Sequence, residues 1–423
     1  MSKSERVSAP LSLKETEWLQ RPETAKVFAA LNAEGVETRA VGGAVRDALL
    51  GLPVTEIDLA TTAVPQKVMT LAREAGLKAI PTGIEHGTVT VVVDEMPFEV
   101  TTLRRDVETF GRHAKVAFTE DWEEDAWRRD FTLNALYADR EGIVFDPLGF
   151  YTDLMEGRVR FIGDAEARIK EDYLRILRFF RFNAYYGKGP LDVDGLKASV
   201  RLRGGLVQLS AERVAAEMRR LLVAPRAMRG LEALYDYGLL TAVLGGVPRL
   251  ERLARLIDIE EALVLLPATA LRLGALAVFV REDAARLADR LHLSNAEQAV
   301  LELAAEEGGK PAFTDETGAK EALYRLGEND FHLRVLLAWS ASAAAPDDPH
   351  WCSIFTLPER WQVPAFPIRG ADIVEIGAFK GPEIGELLRR IEAEWIAGGF
   401  TASREELLAR AKELNQKSPR PDR

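Results

Sequence analysis

Cysteine is almost absent from this chain, since Cys352 is the only one among 423 residues. An intrachain disulfide and a thiolate metal site are therefore excluded, and a reducing cytoplasm is the expected location. Histidine is also scarce: the five residues are scattered and none stands beside an aspartate, which argues against a histidine–aspartate phosphohydrolase site. The first residues lack the apolar core that a signal peptide needs.

Long hydrophobic runs are lacking as well. The most apolar segment, "ALVLLPATALRLGALAVFV", is interrupted by Pro267 and Arg272, which predicts two buried helical pieces and not a membrane span. Acidic residues outnumber basic ones, and the net charge of −11 argues weakly against a nucleic-acid partner. Residues 197–229 nevertheless hold eight Lys and Arg against two Glu, so this stretch is either a solvated helix face or a surface for RNA.

Strand-like patterns are concentrated in the first third of the chain. They include "TRAVGG", "TVTVVV" and "FEVTTL", and "VVVDEMPFEV" predicts a hairpin that turns at residues 94–97. After Asp146 the strand signal nearly vanishes, and Leu- and Ala-rich segments with helical spacing continue to the end. The sequence predicts a mixed α/β head followed by a long helical arm.

An acidic pair marks the second strand pattern, "VTEIDLATTAVP". Glu56 and Asp58 are separated by one apolar residue, so in a strand both carboxylates point to the same face. Their mutual repulsion favours a cation between them, and paired carboxylates suit Mg²⁺. A third acid is available at Glu99, whose apolar neighbours face the other way. The alternative is that these acids lie on the exposed face of an edge strand.

A glycine pair precedes the acids in "AVGGAVRDALLG". Gly42 and Gly43 are predicted to form a strand-to-helix turn whose backbone N–H groups can approach a phosphate. Arg46 lies in the first turn of the following helix and could neutralise phosphate charge. A glycine pair alone is weak evidence, because most are simply tight turns; its value comes from the acids on the next strand.

Two further clusters combine arginine with acids. In "RRDFTLNA", Arg128 and Arg129 can grip phosphates, while Asp130 and Asn134 can hold ribose hydroxyls from one helical face. The alternative for this cluster is a salt-bridged helix start.

The second of these clusters is "KEDYLRILRFFRF", predicted as one helix with Glu171, Arg175 and Arg178 on a single face and Asp172 beside them. A carboxylate next to a guanidinium can read a base edge, with the acid accepting from an exocyclic amine and the arginine donating to a ring acceptor. Asp172 with Arg175 would thereby select cytosine and adenine over uracil and guanine. The alternative is a surface salt bridge.

These motifs occur together in one order. "VGGAVRDALLG", the acid pair, "RRDFTLNA", "DPLGFYTDL", "EDYLR" and "SAERVAAEMRRLL" resemble the class II tRNA nucleotidyltransferases, the bacterial CCA-adding enzyme and poly(A) polymerase family. The resemblance spans essentially the whole chain, because "GADIVEIGAFKGPEIGELL" is similar to the family's C-terminal tail.

The resemblance implies an α+β head with a DNA polymerase beta-like nucleotidyltransferase fold, followed by all-α parts. The expected domains are the head at 1–145, a neck with the base-recognition helix at 146–230, a helical body at 231–345 and a tRNA-binding tail at 346–423. The implied activity is template-independent addition of C-C-A to the 3′ end of tRNA from CTP and ATP, with Mg²⁺, in the cytoplasm and without an obligate protein partner. A poly(A) polymerase, or an enzyme that adds only CC or A, remains the alternative.

The resemblance also assigns roles by position. Glu56 and Asp58 would hold the metal and, with Glu99, form the catalytic acids; the other implied residues are, for the nucleotide, Gly42, Gly43, Arg46, Arg128, Arg129, Asp130, Asn134, Glu171, Asp172, Arg175 and Arg178, and, for RNA, Lys197, Arg201, Arg203, Arg213, Arg219 and Arg220. Residues 102–122 would be the mobile loop used when specificity switches from C to A.

One departure concerns the acids. The family usually has Asp-x-Asp where this chain has Glu56. Glutamate is one methylene longer, and octahedral Mg²⁺ tolerates misplaced ligands poorly. A non-catalytic RNA-binding protein with a degenerate head is the alternative that Glu56 raises.

Overall fold

The computed structural model describes residues 12–110, 113–306, 315–376 and 381–417. The chain divides into two compact units, one comprising Met1–Pro248 with Arg290–His292 and the other Arg249–Asp289 with Leu293–Arg423. The finer division into head, neck, body and tail stays a prediction. None of the helices in the described ranges is long and apolar enough to cross a membrane.

The first unit contains a mixed seven-stranded sheet of order β3-β4-β5-β2-β1-β8-β9 and a separate two-stranded ribbon, β6-β7. The strands are β1 (Thr38–Val41), β2 (Asp58–Thr61), β3 (Lys78–Gly83), β4 (Thr88–Val93), β5 (Met96–Thr102), β6 (Arg104–Phe110), β7 (His113–Phe118), β8 (Tyr137–Ala138) and β9 (Val144–Phe145). Every strand in the described residues precedes Asp146, as the loss of strand patterns predicted.

Strand pairing brings the predicted site together. β1 runs antiparallel to β2, so Val41 at the end of β1 lies opposite Asp58 at the start of β2. β2 runs parallel to β5, which places Glu99 beside Asp58. Because Gly42 follows Val41 directly, the glycine turn and the acids meet at one end of the sheet.

Two hairpins differ in how well the sequence predicted them. β4 and β5 turn at Asp94 and Glu95, both with positive φ, as "VVVDEMPFEV" predicted. The segment 102–122, predicted as a loop, is largely an antiparallel ribbon, with Arg104 opposite Phe118 and Phe110 opposite His113. Its mobility stays a prediction. Residues 111–112 of this segment lie outside the described residues.

The helices of the first unit lie before, between and after the strands. They are α1 (Glu17–Gln20), α2 (Pro22–Leu31), α3 (Gly43–Leu49), α4 (Pro65–Glu74), α5 (Trp122–Trp127), α6 (Tyr151–Glu156), α7 (Ala165–Glu171), α8 (Leu174–Tyr186), α9 (Val193–Arg201), α10 (Ala211–Leu222), α11 (Ala227–Asp236) and α12 (Leu239–Leu244). The single helix predicted through "KEDYLRILRFFRF" is wrong. α7 ends at Glu171, Asp172 is extended, and α8 begins at Leu174 because the Asp172 carboxylate accepts the Leu174 N–H at 3.1 Å.

The described part of the chain after residue 248 contains helices and no strands. Its helices are α13 (Leu250–Ala262), α14 (Thr269–Ala277), α15 (Arg281–Leu291), α16 (Asn295–Glu306), α17 (Glu316–Leu326), α18 (Glu328–Ala341), α19 (Pro349–Phe355), α20 (Leu357–Arg360), α21 (Gly370–Ile376), α22 (Gly381–Ala397) and α23 (Arg404–Lys417). The apolar segment around Pro267 was predicted as two buried helical pieces, and the first of these is wrong. α14 begins at Thr269 and is largely buried, but α13 ends at Ala262, and Val264 and Leu266 before the proline are exposed. Ile373, Ile391 and Trp395 form part of one buried cluster near the C-terminus.

Candidate active site

The acids occupy the end of the central strands. Asp58 and Glu99 are register partners on β2 and β5, and both are exposed, while Ile57 between the two acids of the pair is buried. Glu56 was predicted on the strand but lies just before it, because pairing of β2 begins at Asp58. Loss of water around Asp58, followed by the negative charges of Glu99 and Glu56, raises the pKa of its carboxyl to about 6, and Arg129 opposes this rise.

This acid cluster fits a divalent cation. Three carboxylates close enough to raise a pKa repel one another, and a bound cation relieves that repulsion. Within the described ranges, no group of three or more His, Cys, Asp or Glu side chains is placed to enclose a metal ion. Magnesium does not require such an enclosure, because it is commonly held by one or two carboxylates together with substrate phosphates and water.

The glycine turn lies beside the acids. Gly42 has φ of +67°, a conformation that favours glycine, and its N–H donates to the Leu136 carbonyl at 3.2 Å. α3 begins at Gly43. Arg46, predicted to neutralise phosphate, is buried, and its donors are engaged by Asp47 at 2.9 and 3.0 Å and by the Asn134 side chain at 2.7 Å.

Two arginines follow α5 and share one partner. Arg128 Nε donates to Asp125 Oδ1 at 2.8 Å, and Arg129 Nη2 donates to Asp125 Oδ2 at 2.9 Å. Asp125 is 1% exposed. Burial opposes its ionisation, but the two guanidinium groups, Arg129 foremost, hold the pKa of this carboxyl well below its usual range. The cluster therefore carries two fixed positive groups and one buried negative group.

The predicted ribose residues join this cluster to α8. Asp130 and Asn134 were predicted on one helical face. Asp130 instead lies before the 3₁₀ turn Thr132–Asn134 and Asn134 is its last residue, yet Asn134 Nδ2 still donates to Asp130 Oδ1 at 2.9 Å. Arg178 Nε donates to Asp130 Oδ2 at 2.7 Å. Burial opposes ionisation of Asp130, but Arg178 and Asn134 outweigh it and lower the pKa to about 2.

The predicted base-reading residues are close in sequence but hold different partners. Asp172 accepts two hydrogen bonds from Arg213, at 3.1 and 2.6 Å, because α10 packs against α8. Arg175 donates to Glu171 and to the Arg168 carbonyl, the latter at 2.8 Å. Glu171 is also bound by Arg168 at 3.0 Å. Each member of the pair is thus held by a neighbour of opposite charge, and no bond joins Asp172 to Arg175 through their side chains.

Known proteins resemble this chain in sequence and in fold. Residues 38–160 match the poly A polymerase head domain, and residues 194–252 match a probable RNA and SrmB-binding site of polymerase A. The mitochondrial CCA tRNA nucleotidyltransferase 1 of Mus musculus is 33% identical over 392 residues, which cover 89% of this chain and 86% of that protein. The chain belongs to the CCA tRNA nucleotidyltransferase family.

Bacterial members of the family are also similar to this chain in sequence and fold. The CCA-adding enzyme of Geobacillus stearothermophilus is 39% identical over 232 residues, 54% of this chain and 56% of its own length. The crystal structure of a Bacillus stearothermophilus CCA-adding enzyme in complex with CTP superposes with a TM-score of 0.73 at 28% identity, covering 94% of this chain and 98% of the other. A Thermotoga maritima CCA-adding enzyme complexed with tRNA shares the fold, with a TM-score of 0.67 at 18% identity. The α+β head and helical arm are therefore those of a CCA-adding enzyme.

The predicted RNA-binding residues fall on α9, the turn after it and α10, within the segment that matches a probable RNA and SrmB-binding site of polymerase A. Lys197, Arg201 and Arg203 are exposed, and Arg201 pairs with Glu166 at 2.9 Å. Arg220 is exposed and Arg219 half-buried on α10. Arg213 is half-buried on α10, and its guanidinium donates to the Asp172 carboxylate.

Three further residues of the candidate active site, Asp125, Asp47 and Tyr186, were not predicted from the sequence. Asp125 was overlooked because an acid before two arginines is typical of any helix start. Asp47 and Tyr186 were overlooked because they are 139 residues apart, although Tyr186 Oη donates to Asp47 at 3.0 Å. Arg46 lies over the Tyr186 ring at 4.3 Å, so the end of α8 contacts the helix that follows the glycine turn. Only the pairing of Asp125 with the arginines had a local sequence signal, the spacing of three and four residues.

Proposed function

We propose that this chain adds C-C-A to the 3′ end of tRNA, using CTP and ATP without a nucleic-acid template. The terminal ribose 3′-hydroxyl of the tRNA attacks the α-phosphorus of the nucleotide, and pyrophosphate leaves. The observation that carries the proposal is the meeting of Asp58, Glu99 and the Gly42 turn at one sheet end, in a chain that matches CCA tRNA nucleotidyltransferases along most of its length.

The acids are proposed to hold Mg²⁺. Asp58 and Glu56 are the ligands and Glu99 the third acid of the site. A bound divalent ion would favour ionisation of the attacking hydroxyl and offset charge on the leaving pyrophosphate. Asp58 is the stronger ligand in this proposal, because Glu56 lies outside the paired strand and carries a longer side chain.

The nucleotide is proposed to lie between the glycine turn and α8. The Gly42–Gly43 backbone, Arg128 and Arg129 meet the triphosphate, and Asp130 with Asn134 binds the ribose hydroxyls. We retain Arg46 among the nucleotide-binding residues; its guanidinium is committed to Asp47 and Asn134, so it would act largely by holding Asn134.

The base is proposed to be read by Asp172 and Arg175. The carboxylate accepts the exocyclic amine of cytosine or adenine, and the guanidinium donates to the adjacent ring nitrogen or carbonyl. Arg213 holds Asp172, and Glu171 holds Arg175. Arg178, on the same helix as Arg175, orients the proposed ribose-binding residue Asp130. Uracil and guanine present a carbonyl where Asp172 needs a donor, so they would be excluded.

The tRNA is proposed to contact the basic residues of α9, its following turn and α10. Residues 197–222 of these elements hold six Lys and Arg against two Glu, which gives this surface a positive charge within an acidic chain. Phosphate contacts of this kind weaken as salt concentration rises and do not read sequence. The tail after residue 346 is proposed to reach toward the elbow of the tRNA.

Two further properties belong to the proposal. A single cysteine agrees with a cytoplasmic enzyme, although the relatives include mitochondrial ones, and cell fractionation would distinguish the locations. The proposed enzyme requires no obligate protein partner, so the purified chain should be active alone.

The test uses three tRNA transcripts, lacking C-C-A, ending in C and ending in C-C, each incubated with Mg²⁺ and CTP, ATP or both. Growth of the first transcript by three nucleotides, requiring both CTP and ATP and then stopping, is the expected result. Two additions without A would indicate a CC-adding enzyme, and long tails from ATP alone would indicate the poly(A) polymerase that the head-domain match leaves open. No addition to any transcript would contradict catalysis.

A further inference from the structure

Two buried groups bind the same edge of Arg129. Its Nε lies 3.2 Å from Asp125 Oδ2 and 3.1 Å from Tyr137 Oη, and its Nη2 lies 2.9 Å from Asp125 Oδ2. Tyr137 Oη in turn donates to Asp125 Oδ2 at 2.9 Å. The Nε–Nη2 edge of the guanidinium is therefore occupied by a carboxylate and a phenol, and a hydrogen bond joins these two groups.

The opposite end of the same guanidinium faces the glycine turn. A Cβ placed on Gly42 would lie 3.9 Å from Arg129 Nη1. Arg129 thus presents its Nη1 end toward the glycine turn, and Asp58 starts β2 opposite Val41, the residue before that turn.

Sheet pairing and an aromatic contact hold Tyr137 in its position beside Arg129. Tyr137 is the register partner of Val41, the residue before Gly42, so sheet pairing sets the distance between the phenol and the turn. Trp122 packs edge-on against the Tyr137 ring, with centroids 5.2 Å apart. Asp125 and Tyr137 are 1% and 0% exposed, so neither can change partners without leaving a buried polar group unpaired.

We propose that Asp125 and Tyr137 are positioning residues, which aim the Nη1 end of Arg129 at the β- and γ-phosphates of the nucleotide over the Gly42–Gly43 turn. Two guanidinium groups share one carboxylate in this cluster, so one positive charge remains for the substrate. The inference rests on the proposed function of this site and extends it to residues that do not touch the substrate.

The experiment measures the affinity of the full-length protein for CTP and CMP, with Mg²⁺ and without tRNA. CMP keeps the base and ribose and lacks the two phosphates that Arg129 would meet. Asp125→Asn is expected to weaken CTP binding at least about tenfold and Tyr137→Phe about threefold, with CMP binding unchanged within about twofold. Asp153→Asn is the matched control, because Asp153 is likewise buried, at 2% exposed, and pairs with two arginines, Arg158 and Arg160.

A merely structural role would weaken CTP and CMP equally, or affect Asp153→Asn as strongly as Asp125→Asn, and either result would overturn the proposal. Unchanged CTP affinity in Tyr137→Phe and Asp125→Asn would overturn it as well. If Asp125→Asn does not fold, Tyr137→Phe decides, since it removes one hydroxyl and keeps the ring packing. Wild-type activity on the tRNA transcripts is scored separately, so a failure of the proposed function is distinguishable from a failure of this inference.

Discussion

Asp58→Asn should stabilise the metal-free protein while abolishing catalysis. Asp58 has a pKa of about 6 in the folded chain against an ordinary value of 3.8. The native state therefore binds the proton more tightly than the unfolded state, and the free energy of unfolding falls as pH rises between these two values. Above pH 6 the ionised Asp58 carboxylate lowers the free energy of unfolding by its full amount, and replacement by neutral asparagine removes this loss.

The magnitude follows from the difference between the two pKa values. About two pKa units at about 1.36 kcal/mol each correspond to about 3 kcal/mol at neutral pH. Asp58 is exposed, so solvent screening reduces this to about 1 kcal/mol. The melting temperature of Asp58→Asn should then exceed that of the wild type by about 2 °C.

The assay is thermal unfolding in EDTA at pH 7.5 and at pH 5, with Glu74→Gln, an exposed carboxylate at the end of α4, as the control. The gain from Asp58→Asn should shrink to about half at pH 5, because the native carboxyl is then mostly protonated. Equal melting temperatures at pH 7.5, a gain that does not depend on pH, or the same gain from Glu74→Gln would refute the reasoning.

Four further outcomes are expected. Glu56→Gln should lower kcat/KM about 100-fold while Glu56→Asp keeps activity, measured by CMP incorporation over a Mg²⁺ titration; equal losses would contradict a ligand role. Asp172→Ala should lower kcat/KM for CTP and ATP alike by about 10- to 100-fold, and a loss confined to one nucleotide would contradict shared base reading. Replacing residues 105–117 with a Gly-Ser linker should leave products ending in C-C, as sized on gels, and full C-C-A products would contradict a role in the switch to A. Arg272→Met should destabilise the second unit by about 3 kcal/mol in chemical unfolding, because Glu260 is left buried without its 2.6 Å ion pair; adding Glu260→Met should restore most of this loss, and no recovery would contradict that cause.

Local patterns predicted the elements that bear the candidate site. Alternating Val and Thr predicted β4 and β5, and the glycine pair after an apolar run predicted the turn at Gly42. The meeting of Asp58 with Glu99 was only a possibility at that level, because strand order depends on long-range pairing that no short pattern encodes.

Partner choice among charged residues was the main feature that the sequence did not reveal. Helical spacing predicted Asp172 beside Arg175, but Asp172 ends the continuity of the helix and is bound by Arg213 from α10. A carboxylate takes the nearest guanidinium in space, and packing of α10 on α8 decides which one that is. The bond from Tyr186 to Asp47 depends on tertiary packing in the same way.

The most direct test of the central claim is to sequence the 3′ ends of a tRNA lacking C-C-A after incubation with this protein, Mg²⁺, CTP and ATP. The account predicts C-C-A on nearly every extended molecule with wild-type protein, and no extension with Asp58→Asn at equal concentration. Extended ends of another sequence, or C-C-A ends formed equally well by Asp58→Asn, would contradict it.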